Sequence, residues 1–118
     1  MDHNRNLLDE TRSELTARGK APAEVRWVGL IEPDYLRTIR PSSDAPIGCW
    51  EDFERFASFK YDAGYGGAEV NSRLVIVGDD WWLERGEYDG SEWWEFKSLP
   101  QKPAATTPLR ADDLKSKW

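Results

Sequence analysis

Seven carboxylates and four tryptophans crowd the stretch from Asp79 to Pro100, DDWWLERGEYDGSEWWEFKSLP, with Arg85 and Lys97 as its only cations. Paired carboxylates on adjacent strands, such as Glu84 with Glu95, are what a glycosidase would use as acid and base. The remaining catalytic repertoire is thin. His3 is the only histidine, close to the terminus, and Cys49 is the only cysteine, with no histidine beside it in sequence to activate it. A chain of 118 residues also leaves little room for a deep cleft. The expectation is a protein that is not an enzyme and uses no cofactor. Two Cys and His side chains are too few for a structural zinc site. Asp79, Asp80 and Glu84 do not follow the spacing of a calcium-binding loop, so no metal is expected.

Carboxylates set among tryptophans point instead to recognition. Residues 79–95 hold seven acids against Arg85 alone, a deficit that accounts for the whole net charge of −6. Such a surface repels phosphates, which argues against direct nucleic-acid binding. Carboxylates on a rigid hairpin can also imitate the charge spacing of nucleic acid and occupy a basic groove on another protein. Aromatic anchors would then supply affinity while charge steers the encounter. The contact residues expected on this reading are Asp79, Asp80, Trp81, Arg85, Glu87, Asp89, Glu92, Trp93 and Glu95. Tyr61 and Tyr65, from the glycine-rich loop, join them, and Trp81 and Trp93 serve as anchors. The alternative function is a small-ligand or carbohydrate-binding module built on the same tryptophans. The plainest reading of the acids is a solvated face that keeps a sticky hairpin soluble.

The elements that must position these residues are legible in outline. Asn4 or Asn6 caps a helix over 4–18, whose thin stripe of Leu7, Leu8 and Leu15 predicts loose packing, with Gly19 and Pro22 as stop signals. Alternation in EVRWVGLI and again from Tyr35 to Arg40, across the EPDY turn, predicts a hairpin. Trp50, Phe53, Phe56 and Ala57 recur at helical spacing and predict a helix over 50–59 lying on a sheet. KYDAGYGGAEVNS is a glycine-rich loop that lacks the following helix and the cation of a phosphate cradle. A meander follows: 73–78, a turn at Asp79 and Asp80, 81–87, a turn in YDGS, and 92–99.

A two-residue Asp89-Gly90 turn would set Glu87 opposite Glu92 and Glu84 opposite Glu95, two like-charge pairs. A three-residue loop avoids both by placing Arg85 opposite Trp93 and Trp81 opposite Lys97, and is the register expected. It puts Trp82, Trp94 and Phe96 on the core face and leaves Trp81 and Trp93 partly exposed. The fold class is therefore α+β, an antiparallel meander of four or five strands with one packed amphipathic helix and an N-terminal helix. A single domain spans 1–99 and a proline-rich tail spans 100–118, where Thr107 could open a short helix carrying Leu114 and Trp118 on one face.

No apolar run approaches the ~18 residues of a membrane span, and the first residues lack a signal-peptide pattern. A single cysteine suits a reducing cytoplasm. The string VIVGDDWWLERGEYDGSEWWEF, with the upstream YDAGYGGAEV, resembles small proteins encoded by tailed phages and prophages. The likeness covers roughly residues 50 to 100 and carries no assigned activity, so no catalytic residue transfers with it. It implies a bacterial cytoplasm during infection, where small acidic accessory proteins block host defence complexes, as anti-CRISPR proteins do. The partner implied is a host protein or nucleoprotein complex with a basic surface.

Overall fold

The orphan N–H groups of a helix's first turn need acceptors, and here they tie the N-terminal segment to the middle of the chain. In the computed structural model, which describes residues 4–31, 46–64, 68–100, 104 and 107–116, helix α1 runs Leu7–Ala17. Asn6 caps it, its side chain accepting from Asp9 N–H at 3.1 Å. Leu7 and Leu8 N–H donate to the carbonyls of Phe59 and Ala57, at 3.0 and 3.1 Å. Residues 4–6 are not helical as expected but form strand β1 (Asn4–Asn6), which pairs antiparallel with β4 (Lys60–Asp62).

Packing of α1 is tight, contrary to the reading of a thin stripe, because a threonine completes the row. Leu7, Thr11 and Leu15 stand one turn apart and are all buried, with Leu8 beside them. Thr11 Oγ1 donates to the Leu7 carbonyl at 2.7 Å and accepts from Trp94 Nε1 at 2.8 Å, so a polar side chain fits the core with its hydroxyl satisfied. Helix α2 (Trp50–Phe56) is shorter than expected. Trp50, Phe53 and Ala57 are buried, whereas Phe56 is 69% exposed and is not part of the core as the spacing suggested. It falls beside the row that those three residues form, and the chain beyond it is drawn out to meet the first turn of α1.

Among the described residues, five antiparallel strands form the main sheet in the order β3-β2-β5-β6-β7, where β2 is Trp27–Leu30, β3 Ile47–Gly48, β5 Leu74–Val77, β6 Trp81–Tyr88 and β7 Ser91–Ser98. The architecture is α+β with an antiparallel sheet. β2 lies between β3 and β5. The strand anticipated over 35–40 lies outside the described residues. Ala111–Leu114 forms a single exposed 3-10 turn, later and tighter than the helix expected from Thr107, and Leu109 and Leu114 are exposed. Trp118 lies outside the described residues. No helix among them is long and apolar enough to cross a membrane.

The hairpin register differs from the expected one. Asp89 (φ 51°) and Gly90 (φ 84°) form a two-residue turn with both residues left-handed, the backbone that matches strand twist. Glu84 therefore does face Glu95, and Glu87 does face Glu92. Neither repulsion is left uncompensated. Lys97 Nζ sits 2.9 Å from Glu84 and 3.8 Å from Glu95, and Glu92 is turned inward onto Arg85 and backbone N–H groups.

Thr11→Val keeps the shape of the side chain but strands the Trp94 indole N–H in the core. Chemical denaturation should show a loss of about 1–3 kcal/mol, and Thr11→Ser should recover most of it. Equal stability of Thr11→Val and wild type would show that the hydroxyl is not needed.

Candidate partner-binding face

Alternation along β6 and β7 sorts the hairpin into two chemically different faces. Ile76, Leu83 and Phe96 are aligned across the sheet with Val28, and Arg85 is aligned with Trp94. This inner face meets α1 and α2, and Trp81, Leu83, Trp94 and Ile76 belong to the buried core. The outer face carries Trp27, Val77, Trp82 and Lys97 in one row and Gly29, Val75, Glu84 and Glu95 in the next. Trp93 and Tyr88 lie toward its tip. Trp81, expected as an exposed anchor, is 3% exposed and stacks on Phe96 with centroids 6.0 Å apart, because the two-residue turn places it on the inner face.

The same sorting takes Arg85, Glu92 and Tyr61 out of the expected contact set. The Arg85 side chain is 3% exposed. Its Nη2 donates to Glu92 Oε1 and to the Tyr61 hydroxyl, both at 3.1 Å, and its Nη1 lies 3.7 Å from Glu10 Oε1. The guanidinium carbon sits 4.7 Å from the Trp94 ring centroid, which offsets part of the cost of burying the charge, while Nε and Nη1 make no hydrogen bond among the described residues. Glu92 also accepts from Glu69 N–H at 2.7 Å and Val70 N–H at 3.1 Å. Tyr61 is 4% exposed and donates to Glu10. Burial, helped by that hydrogen bond and opposed by Arg85, pushes the Tyr61 hydroxyl up to about 12. These groups form a structural network, not a contact surface.

Asp79, Asp80, Glu87 and Asp89 are exposed, and Trp93 and Glu95 are partly so. Asp79 is engaged by Arg26, which reaches both its oxygens at 2.7 and 3.0 Å. The guanidinium's hydrogen bond holds that carboxyl below its ordinary range and raises Arg26 in turn. Trp93 lies close against Gly86, where a Cβ would come within 2.6 Å of its Nε1, so glycine leaves the room the indole occupies. Tyr65 lies outside the described residues.

Sequence reasoning missed Tyr88, at 78% exposed the most exposed aromatic among the described residues, which stands on the outer face beside the turn. Its signal was its place directly before Asp89-Gly90, where side chains project past the end of the sheet. Glu84 and Glu95, the pair weighed for glycoside chemistry, are cross-strand partners tied by Lys97. Among the described residues no cluster of three or more Cys, His, Asp or Glu side chains is placed to hold a metal ion. In comparisons with protein-family models, curated proteins and solved structures, nothing matches the chain.

The Tyr61 hydroxyl makes the network sensitive to alkali. Its folded pKa lies above the unfolded value of 10.0, so the stabilisation is complete below pH 10 and is lost as pH rises toward 12. Wild type should lose roughly 2 kcal/mol more than Tyr61→Phe across that window in denaturation experiments. Parallel stability curves for the two proteins would contradict the assignment.

Proposed function

We propose that the protein is a non-enzymatic binding protein whose hairpin docks on a basic surface of a partner protein and blocks it. The observation that carries this reading is the sorting of charge. Arg85 is taken inside and neutralised against Glu92, while Tyr88 and Trp93 stand on the outer face with the partly exposed Glu95, Asp89 is exposed in the adjoining turn, Glu87 is exposed near the tip on the opposite face, and Asp80 is exposed at the far end of the hairpin. A surface of that kind gains affinity from aromatic side chains and steering from the acids around them. The hairpin string that resembles phage and prophage proteins suggests a host protein or nucleoprotein complex in the bacterial cytoplasm as the partner, with the acids imitating nucleic-acid phosphates.

The anchors are Tyr88 and Trp93, with Trp82 behind them, in place of Trp81. A partner captured from bacterial lysate with wild-type protein should bind Trp93→Ala or Tyr88→Ala more weakly by about 2 kcal/mol, with little change in folding. Trp81→Ala should instead destabilise the fold by about 3–5 kcal/mol. Reversing Glu87 and Asp89 to lysine should slow association and flatten its salt dependence, since exposed charges steer over a Debye length of ~10 Å at 0.1 M salt. Undiminished capture by the Trp93, Tyr88 and charge-reversed variants would remove the hairpin from this role.

A groove of about 520 Å3 favours a second reading, an apolar small ligand. It lies between α2 and β2, walled by Val28, Leu30, Phe53, Phe56 and Leu74. Phe56→Asp should abolish such binding, read as a ligand-induced change in tryptophan fluorescence, while sparing stability because Phe56 is exposed. Retained binding in Phe56→Asp would exclude the groove.

A further inference from the structure

β7 is the last strand of the five-stranded sheet. Two hydrogen bonds show which of its backbone groups face outward. Leu99 N–H donates to the Asp80 carbonyl on the β6 side at 2.8 Å, whereas Glu92 N–H donates away from β6 to the Ala63 carbonyl at 3.0 Å. Odd-numbered residues therefore bond to β6, and even-numbered residues present N–H and C=O to the free edge. Beyond Glu92, those groups of Trp94, Phe96 and Ser98 have no hydrogen-bond partner among the described residues. A strand of eight residues with such an edge is a ready template for another strand.

We propose that this edge is a self-association surface, on which a second copy of the chain pairs its own β7 antiparallel about a twofold axis at Phe96. The two sheets then join into one of ten strands. Backbone parity and side-chain chemistry select this register. An axis between two residues would set an outward-facing residue against one already bonded to β6. An axis at Trp94 needs the backbone of Glu92, which Ala63 already occupies. An axis at Glu95 sets two glutamates face to face, and one at Lys97 sets two lysines face to face.

The axis at Phe96 instead places Glu95 opposite Lys97 of the second copy, twice, in closely spaced cross-strand pairs. It also places Trp93 opposite Leu99, itself 52% exposed in the isolated chain. Trp94 then exchanges backbone hydrogen bonds with Ser98 of the second copy, and Ser98 is exposed. Lys97 remains 40% exposed while it bridges Glu84 and Glu95, so its ammonium keeps a free side for the new carboxylate. The acidic tips at Asp89 point to opposite ends of the joined sheet. The inference stands on the strand edge and is independent of the partner-binding reading.

Sedimentation of the purified chain alone, over a wide concentration range, tests it. Wild type should associate to twice the 13.6 kDa chain mass. Glu95→Lys and Lys97→Glu should each shift the population to monomer, because each sets like charges opposite one another, and the double swap should restore the dimer. Ser98→Pro removes an N–H that the monomer leaves unbonded, and should give a monomer with unchanged circular dichroism and melting. If a charge variant fails to fold, Ser98→Pro alone decides. A wild type that stays monomeric, or single variants and Ser98→Pro that associate as wild type does, would overturn the proposal.

Discussion

A buried guanidinium has to be answered on all sides, and Arg85 is the group around which the rest of the domain is arranged. Glu92 answers it from β7, Glu10 from α1 and Tyr61 from β4, while Trp94 closes one flat side. Glu92 in turn holds the loop at Glu69 and Val70 through their N–H groups, and its own N–H holds Ala63. One ion pair thus fastens the hairpin to the N-terminal helix, the short two-stranded sheet and the glycine-rich connection. A buried pair of this kind adds little net stability compared with well-packed apolar side chains, but removing one partner is severe. Its larger effect is on register. A slip of one residue would turn Glu92 to the outer face and leave Arg85 buried without its carboxylate.

That dependence explains what the sequence showed and what it concealed. Short-range signals were readable: a cap at Asn4 or Asn6, the stop near Gly19, the Asp79-Asp80 turn and a turn within residues 88–91, and the α+β arrangement with its antiparallel sheet. The alternation of β7 was also readable, with Trp94 and Phe96 on one face and Trp93 and Glu95 on the other. What failed was the coupling of β7 to β6. The like-charge pairs Glu84/Glu95 and Glu87/Glu92 argued for the wrong register because their compensation comes from elsewhere. Lys97 stands two residues along the strand, and the N–H groups of Glu69 and Val70 come from a loop more than twenty residues away. Thr11 was overlooked and Phe56 misplaced for a related reason. Apolar spacing cannot tell that a threonine will find an indole N–H, or that a helix will end at Phe56 once the carbonyls after it are needed by α1.

Correct register changes which chemistry faces outward. The hairpin has four tryptophans. Trp81 and Trp94 are buried, and Trp82 and Trp93 lie on the outer face with Glu84, Glu95 and Lys97. Asp89 and Glu95 border the aromatic surface that ends in Tyr88, Glu87 is exposed near the tip on the opposite face and Asp80 at the far end of the hairpin, and the proposed docking role belongs to this set. Excess charge and aromatic area sit side by side on the hairpin because Arg85, the only cation within residues 79–95, is taken up by Glu92 on the inner face.

The claim on which the sorted faces, the docking surface and the free edge all rest is the pairing of β6 with β7. Cross-strand nuclear Overhauser effects between α-protons read it directly, since non-hydrogen-bonded partners approach closely in an antiparallel pair. Contacts between Arg85 and Trp94 and between Leu83 and Phe96 are the predicted result. Contacts of Glu84 with Trp94 and of Trp82 with Phe96 would contradict it, and would return Trp81 to the outer face.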